Sequence, residues 1–420
     1  MSETPEDQMK KATEAVSGAK PPTPPTPPPA KPVAAPKPPG IGNIAAGISP
    51  AARQQTKFET PKIADKFEGY DVAFDFAFIG AGQGGGRIAN AFHNLGYQRV
   101  AVFNTTQQDF ADIGDDVAKH SLEVGGASKN PEFAKQALSG RKEEVRDLMT
   151  RAWGSQLDYA LVCVGLGGGT GSGSAATLVE MARQYMRDQG KEERVGAVVS
   201  LPPVTEGYQV AQNAVNGFRE LTDLGVSPLI VIDNARIDQL YKPAMSQRNA
   251  VANETISQLF HLFNQLAAVH SPYVTFDRSE LAQLLDSGLV VFGAADIPTD
   301  SLQSPADVST AIRDNLSQTV LADVDLSTGK KAACLFVGSQ SVLDSLPMEY
   351  FDAGFTQMDR TMGEGSVVHR GVYLGAGEGL QAYTMVSELD IPRDRLLELA
   401  KKGGMNSSGG GSIASYLGVD

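Results

Sequence analysis

The stretch Asp158–Gln189, DYALVCVGLGGGTGSGSAATLVEMARQYMRDQ, decides the fold. DYALVCVGL is a short, continuous apolar run with β-branched residues, which reads as a strand buried on both faces. SAATLVEMARQYMRDQ follows with the spacing of an amphipathic helix. Between them lies Gly167-Gly168-Gly169-Thr170-Gly171-Ser172-Gly173. Glycines at a strand-to-helix junction let backbone N–H groups close around a phosphate, and the helix N-terminus adds its positive dipole end. Thr170 and Ser172 add hydroxyl donors. A plain flexible turn is a poor account of five glycines in seven residues.

The same strand, glycine loop and helix order occurs upstream. VAFDFAFIG leads into Gly80-Ala81-Gly82-Gln83-Gly84-Gly85-Gly86 and then the helix RIANAFHNLG. Alone this matches the GxGxxG dinucleotide fingerprint and keeps a Rossmann oxidoreductase open as an alternative. That fold, however, wants an acidic residue at the end of the second strand, and here RVAVF runs into Asn104-Thr105-Thr106. It also needs one phosphate loop rather than two. No GxxxxGK[ST] occurs, which sets aside a P-loop.

Further strands are expected at VGAVVSLPP and PLIVIDN, giving a parallel sheet covered by helices. Helices are expected near Glu132–Leu138 and Arg141–Trp153. A long helix over about Gln247–His270 puts Ile256, Leu259, Phe260, Phe263 and Leu266 on one stripe. LVVFGAA, KKAACLFVG, SVVHRGVYLG and LQAYTMVSE read as strands of a smaller α+β domain. Thirteen of the 24 prolines lie in the first 50 residues, so that segment reads as a polyproline-II-like or disordered arm, a spacer or a docking site for a partner. The organisation expected is an arm at 1–68, a nucleotide-binding domain at 69–246, a core helix at 247–270, a C-terminal domain at 271–400 and a Gly/Ser-rich tail at 401–420.

The formal net charge of −13 argues against direct nucleic-acid binding, which needs clustered Lys and Arg. Cys163 and Cys334 each lie inside an apolar run and read as buried free thiols in a reducing compartment. No apolar run reaches the roughly 18 residues a membrane span requires, and the N-terminus has no signal pattern; a cytoplasmic protein is expected. The five histidines, at 93, 120, 261, 270 and 369, show no metal-ligand spacing.

Two glycine loops of this kind resemble the tubulin/FtsZ superfamily. GGGTGSG is similar to its signature, and GAGQGGGR to its first phosphate loop. The similarity continues from Phe76 to Gly293. AVFNTTQQDF resembles the second loop, with Asn104. VGGASKNPEFAKQA resembles the loop that caps the terminal phosphate, with Gly125, Gly126 and Ala127. LPPVTEG resembles the ribose loop, with Glu206, and VIDNARID the base-reading loop, with Asn234. ANETISQLF resembles the start of the core helix, with Asn253 in the second base-reading place. FDRSELAQLL resembles the segment that completes a neighbour's site, with Asp277 and Glu280 as its acidic pair.

The resemblance implies an α/β fold: a Rossmann-like parallel-sheet GTPase domain, a long core helix and a smaller α+β C-terminal domain. It implies GTP and GDP as ligands, with Mg²⁺ held mainly by the phosphates. It further implies a homopolymer built head-to-tail, in which the next subunit completes hydrolysis. By residue chemistry alone, Asn234 and Asn253 can pair with the donor–acceptor edge of guanine, and Glu206 can accept from ribose hydroxyls. Asp277 and Glu280, three apart, can share a helix face and polarise a water, whereas the glycine loops themselves offer no base. Three departures stand out: Val210 where an arginine is usual, Asn249 where an aromatic packs on the base, and Val274-Thr275-Phe276 without the usual Asn before the acidic pair. They leave a non-hydrolysing GTP-binding protein as a second alternative. SSGGGSIASYLGVD lacks the docking peptide of a division-ring protein, so a divergent phage-, plasmid-type or otherwise specialised filament is expected over a division ring.

Overall fold

The computed structural model describes residues 72–241, 247–317 and 322–405. The expected arm and most of the expected tail lie outside these. The described chain opens as the glycine loops foretell: β1 (Phe76–Ala81), α1 (Gly82–Asn94), β2 (Val100–Asn104) and β3 (Ala118–Ser121). There follow α2 (Pro131–Ser139), α3 (Lys142–Trp153), β4 (Tyr159–Gly165), α4 (Gly169–Asp188) and β5 (Val195–Leu201). Next come α5 (Tyr208–Asp223), β6 (Leu229–Asp233), α6 (Asn234–Tyr241), α7 (Arg248–Leu266) and α8 (Arg278–Leu285). The remainder is β7 (Leu289–Ile297), α9 (Pro305–Leu316), β8 (Lys331–Gly338), α10 (Gln340–Ser345), α11 (Met348–Thr361), β9 (Val367–Leu374), β10 (Leu380–Leu389) and α12 (Arg393–Lys402).

Among the described residues, ten strands join one sheet in the order β3-β2-β1-β4-β5-β6-β7-β10-β8-β9. From β3 through β7 every pairing is parallel, and β10 is antiparallel to both β7 and β8. Strands buried on both faces explain the near-continuous apolar runs, and β1, β4 and β6 are buried almost throughout. The strands expected of the smaller C-terminal domain therefore extend the same sheet.

Two apolar layers cover the two faces. One packs α3, α4 and α5 on the sheet, with Trp153, Leu178, Val179 and Phe218 wholly or almost wholly buried. In the other, the expected α7 stripe of Ile256, Leu259, Phe260, Phe263 and Leu266 lies against Phe76, Phe78 and Phe292. Phe260 meets Phe76 edge-on at 4.8 Å between centroids. Burial of this aromatic cluster holds α7 on the sheet, and Asn264 near its C-terminal end bonds the Phe74 backbone just ahead of β1. Cys163 and Cys334 are buried free thiols, as expected. Desolvation pushes both thiols up, Cys334 to about 12.

Two boundaries differ from the sequence reading. Both helices begin inside the glycine loops: α1 starts at Gly82 and α4 at Gly169, several residues before the expected starts. Lys401 and Lys402, expected in the flexible tail, are the last turn of α12, a helix that the sequence reading passed over.

Candidate functional site

A cavity of about 390 Å³ opens at the C-terminal ends of the parallel strands. Ala81 ends β1, Asn104 ends β2, Gly165 ends β4, Pro202 follows β5 and Asn234 follows β6, and all of them line it. Strand ends are where open parallel sheets bind ligands, because the following helices start there with unsatisfied N–H groups.

Of the residues expected at a nucleotide site, Gly82, Gln83, Gly84, Asn104, Gly126, Ala127, Gly167, Gly168, Gly169, Thr170, Gly171, Glu206, Asn234 and Asn253 border this cavity. The structure puts the rest to other use. A Cβ on Gly85 would stand 2.0 Å from the Cys163 carbonyl oxygen, so Gly85 lets α1 lie directly on β4. Likewise a Cβ on Gly173 would stand 2.1 Å from the Pro131 carbonyl oxygen, which seats α4 against α2. The Ser172 hydroxyl donates back to the Leu166 carbonyl rather than outward. Gly125 sits one residue outside the lining, at φ 81°, and lets the loop turn.

The loop before α2 is an unusual piece of backbone. Glu123, Gly125, Gly126, Ser128 and Lys129 all have positive φ, 51°, 81°, 86°, 45° and 63°. Left-handed conformation at three non-glycine residues is costly and persists only where neighbours hold it. Here Val124 N donates to Thr105 O, Asn130 N to Ala127 O, and the Asn213 side chain to Lys129 O at 2.9 Å. The result aims Ser128 and Lys129 into the cavity opposite the N-terminus of α4. Thr105 Oγ1 meets Thr170 Oγ1 at 3.0 Å and ties the second loop to the glycine loop.

Several lining residues escaped the sequence reading: Arg87, Thr105, Thr106, Asp109, Ser128, Lys129, Ser200 and Pro202. The positions next to each glycine loop were the available signal. Arg87 is engaged by Asp112 at 2.6 Å. Asp109, a carboxylate outside the glycine loops, lines the cavity and accepts from Asn104 Nδ2 at 2.9 Å. Val210 and Asn249, the unexpected residues, both line the cavity, and Val210 is buried there.

Asp277 and Glu280 lie elsewhere. Asp277 is the N-cap of α8, its Oδ1 accepting from Ser279 N at 2.7 Å and Glu280 N at 3.0 Å. Glu280 Oε2 accepts in return from Asp277 N at 2.9 Å, completing a capping box. The backbone N–H of Glu280, then the Ser279 hydroxyl, hold the Asp277 carboxyl below its usual range. Glu280 Oε1 meets His369 Nδ1 on β9 at 3.0 Å. The two carboxylates thus stabilise each other's backbone, and Asp277 is the more exposed.

The position of this acidic pair is fixed by Arg278. Its Nη2 donates to Asp158 Oδ1 at 3.0 Å, and its guanidinium lies 4.3 Å from the Phe74 ring centroid. Asp158 precedes β4 and Phe74 precedes β1, so Asp277 stands at the N-terminal edge of the sheet, opposite the cavity. A strand the length of β4 separates the two by roughly 20 Å.

Residues 75–242 match the family model described as Tubulin/FtsZ family, GTPase domain. Over those residues the chain carries a tubulin/FtsZ-type GTPase domain. The chain is 25% identical over 298 residues to the tubulin-like protein TubZ of Bacillus cereus, covering 64% of this chain and 67% of TubZ. Against the cell division protein FtsZ of Haloferax mediterranei it is 25% identical over 279 residues, covering 65% and 69%. The fold is shared with the GTPγS-form protofilament of TubZ from Bacillus thuringiensis serovar israelensis (TM-score 0.66, 18% identity, 80% of this chain and 92% of that one). It is shared equally with the GTPγS-bound protofilament of CetZ2 from Haloferax volcanii (TM-score 0.67, 18% identity, 80% and 100%). The GTPase-domain match spans GAGQGGG and displaces the dinucleotide-binding oxidoreductase that this loop left open.

Among the described residues, no helix is long and apolar enough to cross a membrane.

Proposed function

We propose that this chain binds GTP in the strand-end cavity, stacks head-to-tail into filaments, and hydrolyses the nucleotide only at the junction between copies. The placement of Asp277 and Glu280 at the sheet edge opposite the cavity carries this reading. Within one copy the acids cannot reach the nucleotide. A translational stack sets the α8 N-terminus of one copy over the cavity of the next, and such a heterologous contact that does not close extends as a filament. The phosphates sit on the free N–H groups of the first turn of α4 and under the 125–129 loop, where Lys129 offsets their charge. Glu206 accepts from the ribose, and Asn234 and Asn253 read the guanine edge. Mg²⁺ would be held mainly by the phosphates. At the junction Asp277, kept ionised by its backbone donors, accepts a proton from the attacking water, with Glu280 beside it.

The likeness to TubZ and FtsZ, and the protofilaments of the structural neighbours TubZ and CetZ2, support the homopolymer. Three departures from the family pattern, Val210, Asn249 and the missing Asn before Asp277, favour a divergent, specialised filament over a division ring. The Pro-rich segment at residues 1–68 would then space the filament or take a partner. The exchange of the ribose-loop arginine for Val210 supports a second reading, a GTP-binding filament that hydrolyses little. In keeping with its buried free thiols, the protein would work in the cytoplasm.

Titration of purified protein with fluorescent GTP, ATP and NADH, with negative-stain microscopy in GTP, in GDP and without nucleotide, tests the proposal. GTP preference and GTP-dependent filaments are expected. Preference for NADH, or filaments indifferent to nucleotide, would overturn it. Removing residues 1–60 should leave GTP-dependent pelleting intact and change bundling or localisation.

A further inference from the structure

The last described helix, α12, sends one buried cation behind the cavity, onto the backbone of its lining residue Pro202. Arg395 has only 8% of its side chain exposed, and it touches two of the strand-end loops at once. Its Nε lies 2.9 Å from Asp233 Oδ2, and its Nη2 donates to the Pro202 carbonyl at 2.5 Å. Glu398, one turn along α12, takes Nη1. Leu201 and Asp233 are register partners on β5 and β6, so Pro202 and Asn234 leave the sheet side by side. Asp233 passes the contact on. Its Oδ1 accepts from Ala235 N at 3.0 Å and so caps α6, whose first residue is Asn234. Pro202 opens the turn that reaches Glu206, whose N–H bonds Pro203 O at 3.1 Å.

We infer that Arg395 is a positioning residue that sets the base-reading Asn234 and the ribose-reading Glu206 together, making α12 part of the nucleotide site. The inference rests on the GTP-binding reading above and adds to it the element that fixes guanine selectivity. A buried carboxylate and guanidinium keep their place only while paired, because a lone buried charge is strongly disfavoured. The planar guanidinium also holds two acceptors at set angles, which a lysine ammonium cannot do. The phosphate-facing loops are built separately by α1, α4 and the 125–129 segment, so Arg395 governs the nucleoside half of the site only.

The test is a comparison of full-length wild type with Arg395→Lys and with the double variant Asp233→Asn/Arg395→Met. The double variant removes both charges and keeps an acceptor for Ala235 N, so folding is retained where the single change leaves Asp233 unpaired. Equilibrium binding of GTP, ITP and 2′,3′-dideoxy-GTP is measured, with pyrophosphate as a probe of the phosphate half. Wild-type discrimination between GTP and ITP should fall by about 10-fold or more in both variants, with pyrophosphate affinity unchanged. If wild type shows no GTP binding, the GTP reading itself fails. If wild type binds GTP and the folded double variant keeps the wild-type GTP to ITP ratio, the positioning role is overturned. An equal loss for every ligand, pyrophosphate included, also overturns it, since that is the mark of a merely structural contact.

Discussion

Replacing Asp277 separates what it does for its own helix from what it does for a neighbour. Asp277→Asn keeps the N-cap, because an asparagine oxygen accepts from Ser279 N and Glu280 N as the carboxylate does. Asp277→Ala loses the cap, which costs about 1 kcal/mol, and for a body of this size that moves Tm by about 2 °C or less. Both changes remove the base. If Asp277 accepts the proton from water at the junction, turnover falls about 10²- to 10⁴-fold in each variant. Cap loss alone cannot imitate this: about 1 kcal/mol is less than a 10-fold effect. Phosphate release, GTP-dependent pelleting and thermal melting are measured in parallel. Both variants should pellet with GTP and form longer-lived filaments. Mixing Asp277→Asn with a cavity variant such as Asn234→Ala should recover activity above either alone, at junctions where an intact acid meets an intact cavity. Wild-type turnover in Asp277→Asn would refute the base assignment. Co-pelleting mixtures that stay as inactive as their components would refute action in trans.

Gly85→Ala forces a methyl group to within 2.0 Å of the Cys163 carbonyl; α1 must lift from β4, and the urea midpoint should drop by the equivalent of about 1–3 kcal/mol or more. Gly84→Ala, with its nearest neighbour 3.4 Å away, should leave that midpoint within about 1 kcal/mol. His261, buried on α7 with Nδ1 at 3.2 Å from the Tyr97 hydroxyl, is pushed down to about 4 by desolvation. Its folded-state pKa lies below the unfolded value of 6.5, so below pH 6.5 the unfolded chain binds the extra proton. Stability is therefore full above about pH 6.5 and falls towards pH 4, by up to about 3 kcal/mol, and His261→Gln should flatten that part of a Tm-versus-pH curve. His369→Asn, which can still donate to Glu280 Oε1, should keep more turnover than His369→Phe at equal pelleting; equal rates would remove His369 from the positioning of Glu280.

The parallel half of the fold and the phosphate half of the site were legible because local chemistry dictates both. β1 and β4 must be buried on two faces, and a glycine loop leaving such a strand has few physical readings. Glycine-for-binding and glycine-for-packing look alike in sequence, however. Gly85 stands in the same loop as Gly84, and only the Cys163 carbonyl pressing on it tells the two uses apart, while Gly171 serves both, lining the cavity with the Gly165 carbonyl 2.4 Å from where its Cβ would be. The acidic pair was legible by spacing, but its chemistry was not. Three residues apart reads equally as one helix face or as a capping box, and the choice falls to the backbone at Asp277. Ser128 and Lys129 stayed hidden for a different reason. A serine and a lysine give no sign of left-handed backbone, and their conformation is imposed from outside by Thr105 and Asn213. Arg395 was the least legible of all. RDRLLELAKK reads as a solvated helix near the end of the chain, and the acceptors of its one buried guanidinium lie far back in the sequence at Pro202 and Asp233. Residues that bind through their own loop announce themselves in sequence; residues that hold another loop in place become visible only when the chain has folded back on itself.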